Sequence, residues 1–164
     1  MKRNWAALAL AVGLMGGLTM TSTSAEAATA AATDPRIAVV NQMVAAWNAR
    51  DWDKVVNLFA DDGVLHSMMV EPVVGRKSID ARIKHMGAGI SQIRLNVKHM
   101  GLIDGVVYIE RVDEFVYNGH AGSVPVVGAI EVKDGRIKEW REYYDRKELL
   151  TAMGLAQDFD KQAR

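Results

Sequence analysis

The stretch "VVYIERVDEFVY", residues 106–117, reads as a strand that carries charge on both of its faces. Successive side chains on a strand point to opposite sides. Ile109, Arg111, Asp113 and Phe115 therefore share one side, and Tyr108, Glu110, Val112 and Glu114 share the other. Whichever side turns inward takes charge with it. A sheet packed on a core with its other face in water alternates cleanly between apolar and polar positions. Burying an arginine and an aspartate beside isoleucine and phenylalanine predicts instead a curved sheet wrapped around a pocket.

The neighbouring segments extend the same reading. "ISQIRLNVKHM" lies before this strand, across a turn at Asp104-Gly105, and "SVPVVGAIEV" and "RIKEWREYYD" follow it, separated by Asp134-Gly135. Asp-Gly between apolar runs is a hairpin signal. Upstream, Asp34-Pro35 reads as a helix N-cap followed by proline in the first turn, and Ile37, Val40, Val44 and Trp47 recur at helical spacing to about Ala49. Asp51 caps a shorter helix whose inner face is Trp52, Val55, Val56 and Phe59. "VLHSMM" reads as a strand and "EPVVG" as a short hairpin arm. A third helix spans about Lys77 to Met86, with Ile79, Ile83 and Met86 on one side. "RKELLTAMG" closes the chain as a helix that Gly154 terminates. Helices followed by a run of antiparallel strands predict the α+β class.

The chain has 164 residues, so one domain is expected, and its beginning lies outside that domain. Lys2 and Arg3 precede an apolar run from Trp5 to about Met20, and Ala25-Glu26-Ala27 supplies a cleavage signal. That pattern is a secretory signal peptide over residues 1–27. Cleavage near Ala27 leaves a flexible stub at 28–33 and a single domain at 34–164, exported to the periplasm or medium. No other apolar stretch is long enough to span a bilayer, so the mature chain is expected to have no membrane partner. Without Lys2, Arg3 and Glu26 the balance is 18 basic to 19 acidic residues, which gives no electrostatic footprint for nucleic acid. The chain has no cysteine, which removes disulfides, thiolate nucleophiles and cysteine zinc sites.

Arg111 and Asp113 point the same way, about 6.5–7 Å apart along the strand. On spacing alone, such a pair is more often a salt bridge than chemistry. A third group would change that, and Asp145 stands where the last strand gives way to a helix. An arginine can hydrogen-bond two carboxylates in fixed geometry. Two carboxyls sharing a low-dielectric pocket resist ionising together, so one can hold a proton while the other is charged. The first is then a general acid and the second a base that activates water. Strand parity sets Asp145 with Tyr143, Arg141 and Glu139, opposite Trp140 and Tyr144, so a bulge or the strand end would have to re-aim it.

"AWNARDWDKVVNLFADDGVLH" resembles the opening of the NTF2-like, or SnoaL-like, superfamily. "YIERVDEF", "GAIEVKDGRIKEWREYYD" and "EPVVGR" resemble limonene-1,2-epoxide hydrolases within it. The resemblance implies a cone of curved, mixed, mostly antiparallel sheet, wrapped by about three N-terminal helices and a C-terminal helix, commonly a homodimer through the sheet. It also implies an Asp-Arg-Asp triad at Asp113, Arg111 and Asp145. Asp145 would deprotonate water, Asp113 would protonate the epoxide oxygen, and Arg111 would bridge them, in one step without cofactor or metal. Where that family has a tyrosine and an asparagine two residues apart that hold the water, this chain has Leu65 and Ser67, with His66 between them. Leu65 cannot hydrogen-bond and Ser67 has a shorter reach.

Ser67, Leu65 and His66 are the candidates for positioning substrate or water, His66 as a substitute for the missing contact or as a base, although by parity it faces away from Leu65 and Ser67. His85, His99 and His120 are scattered without metal-ligand spacing. Tyr143 and Tyr144 can each donate to a ligand, and spacing singles out neither. The expected function is addition of water to the epoxide of a small apolar molecule. The alternatives are an isomerase, dehydratase, cyclase or lyase using the same pocket, or a non-catalytic periplasmic binder of apolar ligands. Fold does not choose among them.

Overall fold

The computed structural model describes residues 34–155. The expected signal peptide and stub, residues 1–27 and 28–33, lie outside the described residues. Helix α1 (Pro35–Ala49) starts at Asp34, whose carboxylate accepts the Arg36 backbone N–H at 2.9 Å, with proline in the first turn. Helix α2 (Trp52–Asn57) starts at Asp51, which accepts the Lys54 N–H at 3.0 Å. Strands β1 (Phe59–Ser67) and β2 (Val73–Val74) form an antiparallel pair, and α3 (Arg76–Gly87) follows them. Strands β3 (Ile90–Ile103), β4 (Val106–Tyr117), β5 (His120–Lys133) and β6 (Arg136–Tyr143) lead to α4 (Arg146–Ala152).

Two expectations change. The resemblance implied about three N-terminal helices, but only α1 and α2 precede the sheet; α3 follows β2, where the order of the segments had placed it. Phe59 does not continue α2 but opens β1: Leu58 caps the helix and Phe59 then pairs with Ile137. It is buried all the same, against the ring of Trp140.

The six strands run in the order β2-β1-β6-β5-β4-β3, antiparallel throughout except for the parallel pair β1 and β6. Three two-residue hairpins join β3 to β6. Asp104-Gly105 and Asp134-Gly135 were expected, and Asn118-Gly119 is the third. Both residues of each turn have positive φ, from 45° to 86°, the type I′ pattern that suits strand twist. Register shifts that add residues to β3 and β6 bend the sheet further.

The helices cover one face of the sheet. Val40 and Met43 of α1, Val55 of α2 and Ile79 and Ile83 of α3 pack with Ile109, Ile130 and Ile137. Helix α4 lies against β5, where a Cβ on Gly122 would come within 2.6 Å of the Ala152 Cβ. The opposite face leaves Tyr108, Val127 and Tyr143 exposed. No helix among the described residues is long and apolar enough to cross a membrane.

Candidate active site

Between the helices and the inner face of the sheet lies a cavity of about 170 Å³. Its walls are mainly apolar, with Leu65, Ile93, Leu95, Phe115, Val126 and Leu149 among them. Arg111, Asp113, Glu142, Ser67 and Tyr144 bring polar groups to the same space.

The side that turns inward on β4 is therefore the one with Ile109, Arg111, Asp113 and Phe115. Arg111 is almost fully buried. Taking an ion out of water costs several kcal/mol unless partners restore the lost interactions, on the order of the penalty for a buried charge. Here they do. Arg111 Nε donates to Asp113 Oδ1 at 2.7 Å and Nη2 to Asp113 Oδ2 at 3.0 Å, a fork fixed by the two-residue strand repeat. The same Nη2 also donates to Glu142 Oε1. The guanidinium carbon lies 5.5 Å from the centroid of the Trp140 ring. Nη1 is buried without a hydrogen-bond partner among the described residues.

The sheet register explains how β4 reaches β6. Ile109 pairs with Gly128, and Gly128 pairs with Glu142. A Cβ on Gly128 would fall 2.9 Å from Ile109 Cγ2 and 3.3 Å from Arg111 Nη1. The missing side chain on β5 leaves the lane through which the guanidinium crosses to Glu142.

Burial opposes the positive charge of Arg111, but Glu142 and Asp113 outweigh it and hold the guanidinium above its ordinary value. Burial pushes the Asp113 carboxyl above its usual range. Arg111 pulls it back down, and the negative charge of Glu142 adds to the rise. Asp113 therefore keeps its proton to a higher pH than an ordinary aspartate.

Asp145 is not in this network. It ends the β6 segment as the N-cap of α4, and its carboxylate accepts the Glu148 N–H at 2.9 Å. It is exposed and does not line the cavity. Strand alternation gives the reason: Trp140, Glu142 and Tyr144 face inward together, and no bulge separates Trp140 from Tyr143 to re-aim the next residue. The carboxylate that completes the arginine network is Glu142. It was readable by counting two residues on from Trp140.

Leu65 and Ser67 both line the cavity, and His66 does not, in line with parity. Ser67 is the register partner of Glu142 across the parallel β1–β6 pair. Tyr144 donates its hydroxyl to Ser67 Oγ at 2.9 Å, whereas Tyr143 is exposed on the outer face. Among the described residues no group of three or more His, Cys, Asp or Glu side chains is placed to hold a metal ion.

Comparison with known proteins bears on the same chain. The family model described as a SnoaL-like domain matches residues 40–140. The structure of an LEH-like epoxide hydrolase from M. tuberculosis superposes with a TM-score of 0.65 at 24% identity, over 73% of this chain and 89% of that one. A putative polyketide cyclase from Xanthomonas campestris gives 0.66 at 21% identity, over 73% and 96%. A hypothetical protein with a ketosteroid isomerase-like fold from Catenulispora acidiphila, in complex with trimethylamine, gives 0.65 at 23%, over 73% and 95%. These likenesses establish a common α+β, NTF2-like fold and leave the reaction to be argued from the cavity.

Proposed function

The chain belongs to the SnoaL-like domain family, and from its buried arginine network we propose that it is an epoxide hydrolase acting on a small apolar epoxide, without a cofactor. The observation that carries this reading is one guanidinium bonded to two carboxylates at the wall of an apolar cavity. Glu142, in the place first expected of Asp145, takes a proton from water. The water oxygen forms a bond to an epoxide carbon as that carbon's bond to the ring oxygen breaks. Asp113 gives its proton to the departing oxygen, and the product is a diol. The step leaves Glu142 protonated and Asp113 ionised, so proton exchange with solvent restores the starting state. Arg111 holds both carboxyls in place while the proton positions change.

The test is product analysis with a panel of cyclic epoxides in oxygen-18 water. The expected result is a diol carrying one heavy oxygen, lost in Glu142→Gln and Asp113→Asn. Turnover of a ketone or polyketide substrate with no diol from any epoxide would replace hydration with isomerisation or cyclisation. Retained diol formation in both variants would remove the acid–base assignment.

We also propose that the chain forms a homodimer through the outer face of the sheet, supported by the adjacent exposed pair Val127 and Tyr143 and by exposed Tyr108. Light scattering is expected to give a dimer that Val127→Glu converts to monomer. A monomeric wild-type protein at micromolar concentration would refute it.

A further inference from the structure

A hydroxyl carries one proton and two lone pairs, so accepting one hydrogen bond leaves it a proton to direct elsewhere. Ser67 Oγ accepts from Tyr144 at 2.9 Å. The serine proton is then confined to the remaining rotor positions. Ser67 stands opposite Glu142 in the sheet register, and both side chains line the cavity. Leu65, two residues before Ser67 on the same face, offers no hydrogen bond.

We propose that Tyr144 is a positioning residue that fixes the Ser67 hydroxyl so that its proton points to the water deprotonated by Glu142. The inference rests on the hydrolase reading above and adds a residue to it. The water accepts the serine proton's hydrogen bond on one lone pair and gives its own proton to Glu142. Its second lone pair is left for the epoxide carbon. Without the tyrosine hydroxyl, the serine rotor is free, and the water loses its fixed orientation. Orientation of reacting groups supplies a large part of enzymatic rate, so the loss should appear in kcat rather than in substrate binding.

The experiment measures diol formation from cyclohexene oxide by the full-length mature protein and its Tyr144→Phe, Ser67→Ala and double variants, with Glu142→Gln alongside. Tyr144→Phe keeps the ring and removes only the hydroxyl. It is expected to lower kcat about tenfold, equal to about 1.4 kcal/mol at the transition state, with KM changed less than about twofold. Ser67→Ala is expected to lose at least as much, and Tyr144→Phe should cost nothing further in the Ser67→Ala background. Ser67→Thr, which restores a hydroxyl, should recover most of the rate. An effect of Tyr144→Phe that simply multiplies that of Ser67→Ala would overturn the relay, as would full kcat in Tyr144→Phe. If Glu142→Gln is inactive while Tyr144→Phe is fully active, the relay alone falls. If Glu142→Gln keeps its turnover, or the wild-type protein makes no diol, the hydrolase reading falls and the relay with it.

Discussion

Two arginine–carboxylate networks lie on opposite faces of one sheet, and they meet at adjacent residues of β6. On the inner face Arg111 holds Asp113 and Glu142. On the outer face Arg141 holds Glu131 at 2.8 Å and also Glu139. Each has one arginine and two carboxylates, one of them two residues away on the same strand. They differ in exposure. The Arg111 side chain is 3% exposed and its carboxylates 15% and 19%, whereas Arg141 is 22% exposed and its partners 45% and 28%. Charges in contact interact by about 1 kcal/mol in bulk water and by several-fold more as the effective dielectric falls. The outer set is a surface ion pair of the kind worth about 0–1 kcal/mol. The inner set perturbs Asp113 and faces an apolar cavity. Residue types alone do not separate the two, but the face of the strand does.

Neutralising one carboxylate in each network tests that distinction most strongly. Glu142→Gln is expected to reduce kcat by about 10²–10⁴, the range for loss of a general base. Glu139→Gln, three residues earlier on the outer face, should leave kcat within about twofold and stability within about 0.5 kcal/mol, as for an ordinary surface change. Equal effects in steady-state rates would mean that the cavity is not where the chemistry occurs.

Removing the arginines probes the same contrast in stability. Arg111→Met leaves two part-buried carboxyls without their shared, buried cation and should cost about 3 kcal/mol in urea denaturation, toward the lower end for breaking a buried pair. Arg141→Met should cost no more than about 1 kcal/mol. A small cost at Arg111 would show that the inner network is as well solvated as the outer.

Much of this contrast was legible before the structure. Alternation in "VVYIERVDEFVY" placed Arg111 and Asp113 together on the side of Ile109 and Phe115 but left open which side turned inward; the structure buries Arg111 and leaves Asp113 half-buried. The α+β class followed from the helix caps at Asp34 and Asp51 and from the Asp-Gly turns. Asn118-Gly119 carries an equally strong hairpin signal. The third carboxylate was misplaced because Asp145 required a distortion at the end of β6, while Glu142 required none. The crossing past Gly128 was not legible, since it depends on which glycine of β5 pairs with which residues of β4 and β6. The Tyr144–Ser67 bond depends in the same way on the parallel pairing of β1 with β6.

Titration separates the networks again, with a smaller effect. Asp113 is raised by burial, so its contribution to stability is fully present below the unfolded aspartate value and is lost as pH rises through the folded value. The proton-donor role proposed for it has the same sign. The rate should fall on the alkaline side by about tenfold per pH unit once Asp113 ionises, and that limb should lie above the ordinary aspartate value of about 3.9. Glu131→Gln and Glu139→Gln should leave the limb where it is. A kcat/KM profile flat from pH 4 to 9 would remove Asp113 as the acid.

The smallest effect is expected at the carboxylate first assigned to the site. Asp145 lies three residues beyond Glu142, yet its oxygen is engaged by the Glu148 N–H at the start of α4. Replacing an N-cap aspartate by alanine costs about 1 kcal/mol, and asparagine caps nearly as well. Asp145→Ala should therefore lower the stability by about that amount, and Asp145→Asn should restore it. Because α4 supplies Leu149 and Leu150, and its C-cap Met153, to the cavity wall, fraying of its first turn can raise KM in Asp145→Ala. The asparagine variant keeps the cap while removing the charge, so it isolates chemistry from packing. Its kcat should match the wild type within about twofold, the scatter expected of a surface substitution. A hundredfold loss in Asp145→Asn with unchanged melting would return the base to Asp145 and make Arg111–Glu142 a structural pair like its counterpart on the outer face.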